Sequence, residues 1–250
     1  MKLTPCKQMM QISFLPHLFP VNCYLVELEE ELILIDAALP YSAKGILKAV
    51  RQMGKPLSTL VLTHAHDDHV GALVSLKEAL PDVQIVISER DSRLLAGDRS
   101  LNAEEPQTPI RGSVPKGIRT KADRLLRDGD RVGPLLAISC PGHTPGSMSF
   151  YDERTGSLIA GDAFQLRGGI AVSGRLKPAF PFPALATWNA EEAVRSARKL
   201  IEWKPTLLAV GHGRVLPDPV PAMQKAIAEA ERAIEAGRNT VAKGGGKRDA

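Results

Sequence analysis

Residues 57–69, LSTLVLTHAHDDH, constrain the fold more than any other stretch of the chain. An apolar run with strand character ends in six residues that hold three histidines and two aspartates. A buried strand must therefore deliver a dense group of ionisable side chains to its own end. The chain has six histidines in 250 residues, so three at this fixed spacing have a chance expectation of about 0.003 per chain. A solvated polar loop is a poor account of that density. Imidazole nitrogens and carboxylate oxygens are natural ligands of zinc and similar ions. His64 and His66, two apart in an extended segment, point the same way. Asp68 and His69 follow where the chain must bend toward the next helix, so one motif offers two ligands to each of two metals.

Three other apolar runs end in the same manner. LLAIS leads into CPGHTPGS with His143, SLIAG leads into Asp162, and LLAVGHG carries His212. Glycine flanks each position, where it lets backbone approach a site closely. Alone, each residue reads best as structural, but together with HAHDDH they read as the rest of a metal site. Five of the six histidines are then used, and His17 remains as an ordinary polar residue.

The surrounding pattern supplies sheets and helices. MMQISFL, NCYLVEL and LILIDA read as strands, then a helix over 41–53 stops at Gly54 and Pro56. LSTLVLT and VQIVIS are strands around a helix, ALVSLKEAL, that ends at Pro81. Residues 97–120, rich in Pro, Gly and charge, read as an excursion over the surface. LLAIS, MSFYD and SLIAG are strands, and 164–186 is irregular. NAEEAVRSARKLIEWK is a helix capped by Asn189, with Glu191 and Glu192 in its first turn. TLLAVGHG is a strand, and a last amphipathic helix covers 218–240. This order predicts an α/β fold, an αββα sandwich of two mixed sheets with helices on the outer faces. A single catalytic domain over 1–240 and a flexible basic tail over 241–250 complete the expected organisation.

Composition narrows the function. A net charge of +4, with no long Lys/Arg run before the tail, points to an anionic small-molecule substrate more than to nucleic acid. Three scattered cysteines form neither a disulfide framework nor a metal clip, so a reducing cytoplasm is expected. No run is long enough to span a membrane and no signal peptide is read.

The motifs THAHDDH, PGHTPGS, GD after a strand and a late GHG resemble those of the metallo-β-lactamase fold superfamily, from about Cys23 to Gly213. That resemblance implies that His64, His66 and His143 hold one divalent ion. Asp68, His69 and His212 would hold the other, with Asp162 bridging. Zinc is the first expectation, with iron or manganese as alternatives. Asp36, in LIDA, matches an early aspartate that supports the metal loop through hydrogen bonds. The implied reaction is hydrolysis of an ester, thioester, lactone or amide by a hydroxide shared between the ions, with Asp68 as proton shuttle. Asp67 fills the variable position of the motif and is read as a non-ligand. Cys140 is read as a buried structural thiol.

The resemblance also covers relatives with other chemistries. Type II glyoxalases cleave glutathione thioesters and carry a helical C-terminal domain, whereas 37 residues follow Gly213 here. Quorum-quenching lactonases place a tyrosine three residues after the bridging aspartate, where this chain has Gln165. Persulfide dioxygenase-like relatives are iron-dependent oxidoreductases. Uncharacterised bacterial metallo-hydrolases are the nearest match in appearance. The loop 164–186 holds Arg167, Arg175, Lys177, Phe164, Phe180 and Phe182 with no acid. Two readings of it stand side by side: a solvated loop, or a lid in which Gln165, Arg167, Arg175, Phe180 and Phe182 meet a small anionic substrate.

Overall fold

The computed structural model describes residues 1–116, 118 and 120–245. Two mixed sheets lie face to face. The first has seven strands in sequence order: β1 (Lys2–Cys6), β2 (Met9–Phe14), β3 (Val21–Glu27), β4 (Leu32–Ile35), β5 (Leu57–Val61), β6 (Gln84–Ser88) and β7 (Arg124–Leu126). Its first half is antiparallel, and β4 to β7 are parallel. The second sheet runs β15 (Leu216–Pro217), β14 (Leu207–Ala209), β11 (Ser157–Ile159), β10 (Met148–Asp152), β9 (Leu135–Ser139) and β8 (Arg131–Val132). A small hairpin, β12 (Phe164–Gln165) with β13 (Ala171–Val172), stands apart.

Alternation along the strands explains the layering. In β3, Val21, Cys23 and Leu25 face the outer helices, while Tyr24 and Val26 face the opposite sheet. In β4, Leu32 and Leu34 face out and Ile33 and Ile35 face in. In β9 the same rule sends Leu136 and Ile138 outward and Leu135 and Ala137 inward. Strands buried on both faces must be largely apolar, and the buried exception, Asn22 in β3, donates its amide to the Val210 carbonyl at 2.8 Å. Phe150 sits fully buried between the sheets, and a side chain of that size contributes roughly 1.5–3 kcal/mol by leaving water.

Helices cover both outer faces. On the first sheet lie α1 (Ala43–Met53), α2 (Asp67–Val70), α3 (Leu73–Ala79) and α4 (Glu89–Leu95). On the second lie α6 (Ala190–Ile201) and α7 (Val220–Gly245), while α5 (Phe182–Ala186) is a short turn of helix in the irregular loop. The buried residues of α7, Met223, Ala226, Ile227 and Ala230, repeat at helical spacing. α1 ends at Gly54, whose φ of 70° is the left-handed stop that glycine supplies. Asn189 caps α6 as expected, its Oδ1 accepting from Glu191 N and Glu192 N at 3.0 Å each, a contact worth about 1 kcal/mol.

The αββα sandwich is therefore present, with several differences in detail. The last helix runs to Gly245, past the expected end at 240, and the rest of the predicted tail, 246–250, lies outside the described residues. β1, β7, β8, β15, α2 and α4 were not expected, and the stretch 164–186, read as irregular, holds β12, β13 and α5. The loop 97–120 is not a plain surface excursion, because Ile110, Val114 and Ile118 pack on the first core. No described helix is long and apolar enough to cross a membrane.

Candidate metal centre

The strand ends carry the polar residues to one edge of the sandwich. β4 leads to Asp36, β5 to the 64–69 motif, β9 to His143, β11 to Asp162 and β14 to His212. There His64, His66 and His143 form one group with ligand atoms within 4.8 Å of one another, and Asp68, His69 and His212 form a second. Asp162 lies between them. Its Oδ2 is 3.4 Å from His143 Nε2 and 3.1 Å from His212 Nε2, and its Oδ1 is 3.5 Å from His69 Nε2. Asp68 Oδ2 is 3.4 Å from His212 Nε2.

Each imidazole is turned inward by a partner on its other nitrogen. His66 Nε2–H donates to the Arg111 carbonyl at 3.0 Å, and His212 Nδ1–H donates to the Pro20 carbonyl at 2.7 Å. His143 Nδ1 lies against Ser173 Oγ at 3.2 Å and Thr187 Oγ1 at 3.3 Å. Asp36 is the hub of the remaining two. Its Oδ2 accepts from His69 Nδ1–H and from the Thr63 hydroxyl, both at 2.8 Å, and its Oδ1 accepts from Thr63 N–H. With the Thr63 proton committed to Asp36, His64 Nδ1–H donates to Thr63 Oγ1 at 3.0 Å. The Nε2 of His64 is left as a bare lone pair, the form that binds metal. Asp36 holds a left-handed φ of 64°, uncommon for a residue with a side chain and a form of backbone strain that clusters at functional sites.

The donor set fits a divalent ion on its own evidence. His64 Nε2, His69 Nε2 and Asp162 Oδ1 are buried and have no hydrogen-bond partner, although leaving such groups unpaired costs about 1–3 kcal/mol each. They converge where the two ligand groups meet. Gly211 makes room for them: a Cβ there would lie 2.1 Å from Asp162 Oδ1 and 2.6 Å from His69 Cε1. Burial pushes His64 and His66 down and His143 to about 3, so these three rings are neutral. For His69, burial is outweighed by Asp162, Asp36 and Asp68, which lift it to about 9. Against burial, His212 and His69 hold Asp162 ionised, and His69 and His212 hold Asp68 ionised.

Asp67 stands outside both groups. Its backbone N–H donates to Ser113 O at 2.8 Å and its carboxylate accepts from Ser113 Oγ. Asp67→Ala should therefore keep the bound metal, measured by elemental analysis of purified protein, while loosening the 111–114 loop. The Cys140 thiol is buried and pushed up to about 12, which makes it inert.

A cavity of about 400 Å³ opens above the ligands, walled by Phe19, Leu39, Phe182, Pro183 and Leu185, with Asp68 and His212 in its lining. Among the described residues, no basic rim lines it. Arg167 turns away and donates to the His17 carbonyl at 2.6 Å, in a different cavity. Arg175 lines a third cavity beside α6 and α7, and Lys177 pairs with Glu229 at 3.0 Å. Gln165 is buried below the loop, donating to the carbonyls of Arg167 and Phe180 at 3.2 Å each. Of the five loop residues, Phe182 lines the cavity, and Phe180 backs it, 5.3 Å from the His212 ring.

The sequence reading missed several contributors. Phe19 stacks 5.1 Å from Phe180 and 5.5 Å from His212. The Arg111 carbonyl fixes His66, and Gly112 is needed beside it, since a Cβ there would fall 2.4 Å from His66 Nε2. Asp91, fully buried at the start of α4, ties two ligand segments together. Its Oδ2 accepts from Ala65 N–H at 3.0 Å and Thr144 Oγ1–H at 2.7 Å, and its Oδ1 from Gly146 N–H at 2.8 Å. A capping signal, Ser88 three residues before Asp91, was available for the helix, and Ser88 Oγ does accept from Asp91 N at 3.0 Å.

Known proteins resemble the chain over most of its length. YobT of Bacillus subtilis, described as an uncharacterised protein, is 60% identical over 232 residues, covering 93% of this chain and all of that protein. YflN of the same organism, described as a probable metallo-hydrolase, is 30% identical over 214 residues, 77% of this chain and 80% of its own length. The crystal structure of TTHA1623 in a di-iron-bound form superposes with a TM-score of 0.61 at 28% identity, covering 85% of this chain and 96% of that one. The family model described as the metallo-beta-lactamase superfamily matches residues 17–212, the span from the edge of the cavity wall to the last ligand, and the chain belongs to that superfamily.

Proposed function

We propose that the protein is a dinuclear metal-dependent hydrolase that cleaves an ester, thioester or lactone bond in a small molecule with an apolar acyl group. The observation that carries this is the set of unpartnered, buried donor atoms at the floor of an apolar-walled cavity. His64, His66 and His143 would hold one ion and Asp68, His69 and His212 the other, with Asp162 shared. Divalent ions bound there supply Lewis acidity and lower the pKa of water from 15.7 towards about 7.

The chain's own residues do the rest. Asp36, Thr63, Arg111 and Pro20 fix the ring orientations. Phe19, Phe182 and Leu185 take the acyl group and exclude water from the bond. Of the two carboxylates in the ligand groups, Asp68, with a side chain 27% exposed against 3% for Asp162, is the one open to the cavity. It takes a proton from the attacking water and passes it to the leaving atom. Among the described residues no Lys or Arg lines the cavity, so its walls are suited to an apolar acyl group.

The test is a panel of p-nitrophenyl esters of increasing chain length, thioesters, lactones and cephalosporins, with and without chelator. Expected is chelator-sensitive hydrolysis whose kcat/KM rises with acyl length in the native enzyme and rises less in Phe182→Ala. Chelator-insensitive turnover, or no turnover on any substrate, sinks the proposal. Zinc is the proposed ion. Iron, as in the di-iron form of TTHA1623, is the alternative, and metal analysis of protein purified without added metal decides between them.

A further inference from the structure

A second cavity, of about 580 Å³, lies behind His212, away from the apolar one. Thr4, Gln11 and Ser13 from β1 and β2 form one side of it, and the turns after β12 and β14 form the other. Among the described residues, its lining holds three cations, Lys2, Arg167 and Arg214, and no carboxylate. Some other surface cations do meet acids, as in Arg127–Glu89, Arg131–Glu153 and Lys199–Asp128. Among the described residues, Lys2 and Arg214 have no ion pair and no side-chain hydrogen bond, and Arg167 uses one guanidinium nitrogen on the His17 carbonyl.

Like charges gathered around a cavity without counter-charges raise the local potential and attract an anion. The polar lining suits an oxyanion. The Thr4 and Ser13 hydroxyls are available as donors, and the two guanidinium groups match the fork geometry of phosphate oxygens. The floor is already set, since the Gln11 amide is committed to the Gly213 carbonyl at 2.9 Å and to Tyr24 Oη at 3.3 Å. We infer that this cavity is a binding site for a small oxyanion of the phosphate class, separate from the hydrolytic cavity. It adjoins a ligand segment: the His212 carbonyl accepts from Leu166 N–H at 2.9 Å and Arg167 N–H at 3.1 Å. The inference does not depend on the reaction proposed above.

Titration of metal-loaded, ¹⁵N-labelled protein tests it, using inorganic phosphate in one arm and glycerol 3-phosphate in the other, at constant ionic strength. Expected are saturable shifts of the Gln11, Ser13, Gly168 and Gly213 amides. Affinity should fall about tenfold or more in the Lys2→Gln/Arg214→Gln double variant. Arg195→Gln, at a cation already paired with Glu192, should bind like the native protein. Tighter binding of the ester marks an organophosphate as the ligand, and equal binding marks the free ion. Shifts confined to residues around Asp162, shifts that do not saturate, or equal affinity in the double variant overturn the inference.

Discussion

Asp162→Ala is expected to abolish hydrolysis and to lower the bound metal by at least one ion per chain. Asp162 is the group that reaches both ligand sets, lying 3.1–3.5 Å from nitrogens of His69, His143 and His212. Removing it takes away the more deeply buried of the two carboxylates proposed to face the ions, and leaves His69 and His212 without a shared carboxylate. Outer-layer partners of metal ligands cost about 10–100-fold when removed, so loss of this central carboxylate should exceed that range. Elemental analysis and kcat/KM on the best ester of the panel measure it, with circular dichroism to establish that the sandwich survives. Full activity and full metal content in Asp162→Ala would remove the shared-carboxylate reading. Chelation of the native protein should reproduce the loss, and added metal should restore the native enzyme alone.

The legible part of this site was the part written as contrast along the chain. A buried strand can be recognised by its apolar run, and a ligand at its end by the abrupt change to His or Asp, so His64 to His69, His143, Asp162 and His212 stood out. The structure gathers them because parallel and antiparallel strands of both sheets end at the same edge. Asp36 was reached through the motif, but its role as hub of Thr63, His64 and His69 depends on hydrogen bonds that span 27 and 33 residues. Phe19, Arg111 and Asp91 carry no such contrast. Each acts through contacts distant in sequence, such as Phe19 with His212, and a backbone carbonyl such as that of Arg111 has no signature in residue type. The basic residues of 164–186 failed for a related reason. Loop composition states which charges are present but not which cavity each side chain enters, and here Arg167 and Arg175 enter two others.

Asp91→Ala is expected to cost both stability and metal affinity although Asp91 touches neither metal ligand atoms nor the cavity. The variant would leave Ala65 N–H, Gly146 N–H and the Thr144 hydroxyl facing a void in a fully buried position. At about 1–3 kcal/mol for each unsatisfied group, melting should fall by several degrees, since about 1 kcal/mol moves Tm by roughly 2–4 °C in a chain of this size. Ala65 separates His64 from His66, and Thr144 follows His143, so the relaxation falls on all three residues of the first ligand group. Burial lifts the Asp91 carboxyl to about 6, yet its accepted hydrogen bonds require acceptor oxygens on both sides. Asp91→Asn cannot supply them. Whichever way the amide is turned, its NH₂ meets the N–H of Gly146 or of Ala65. A glutamate fits no better, because Gly146 is packed so closely that even a Cβ there would lie 2.6 Å from Asp91 Oδ1. Asp91→Asn should therefore also lose metal affinity, with a smaller fall in Tm than Asp91→Ala because it leaves no cavity. Saturating metal should recover kcat in Asp91→Asn, whereas Asp162→Ala stays inactive at any metal concentration. Native metal affinity in both Asp91 variants would show that the first ligand group is held in place without this carboxylate.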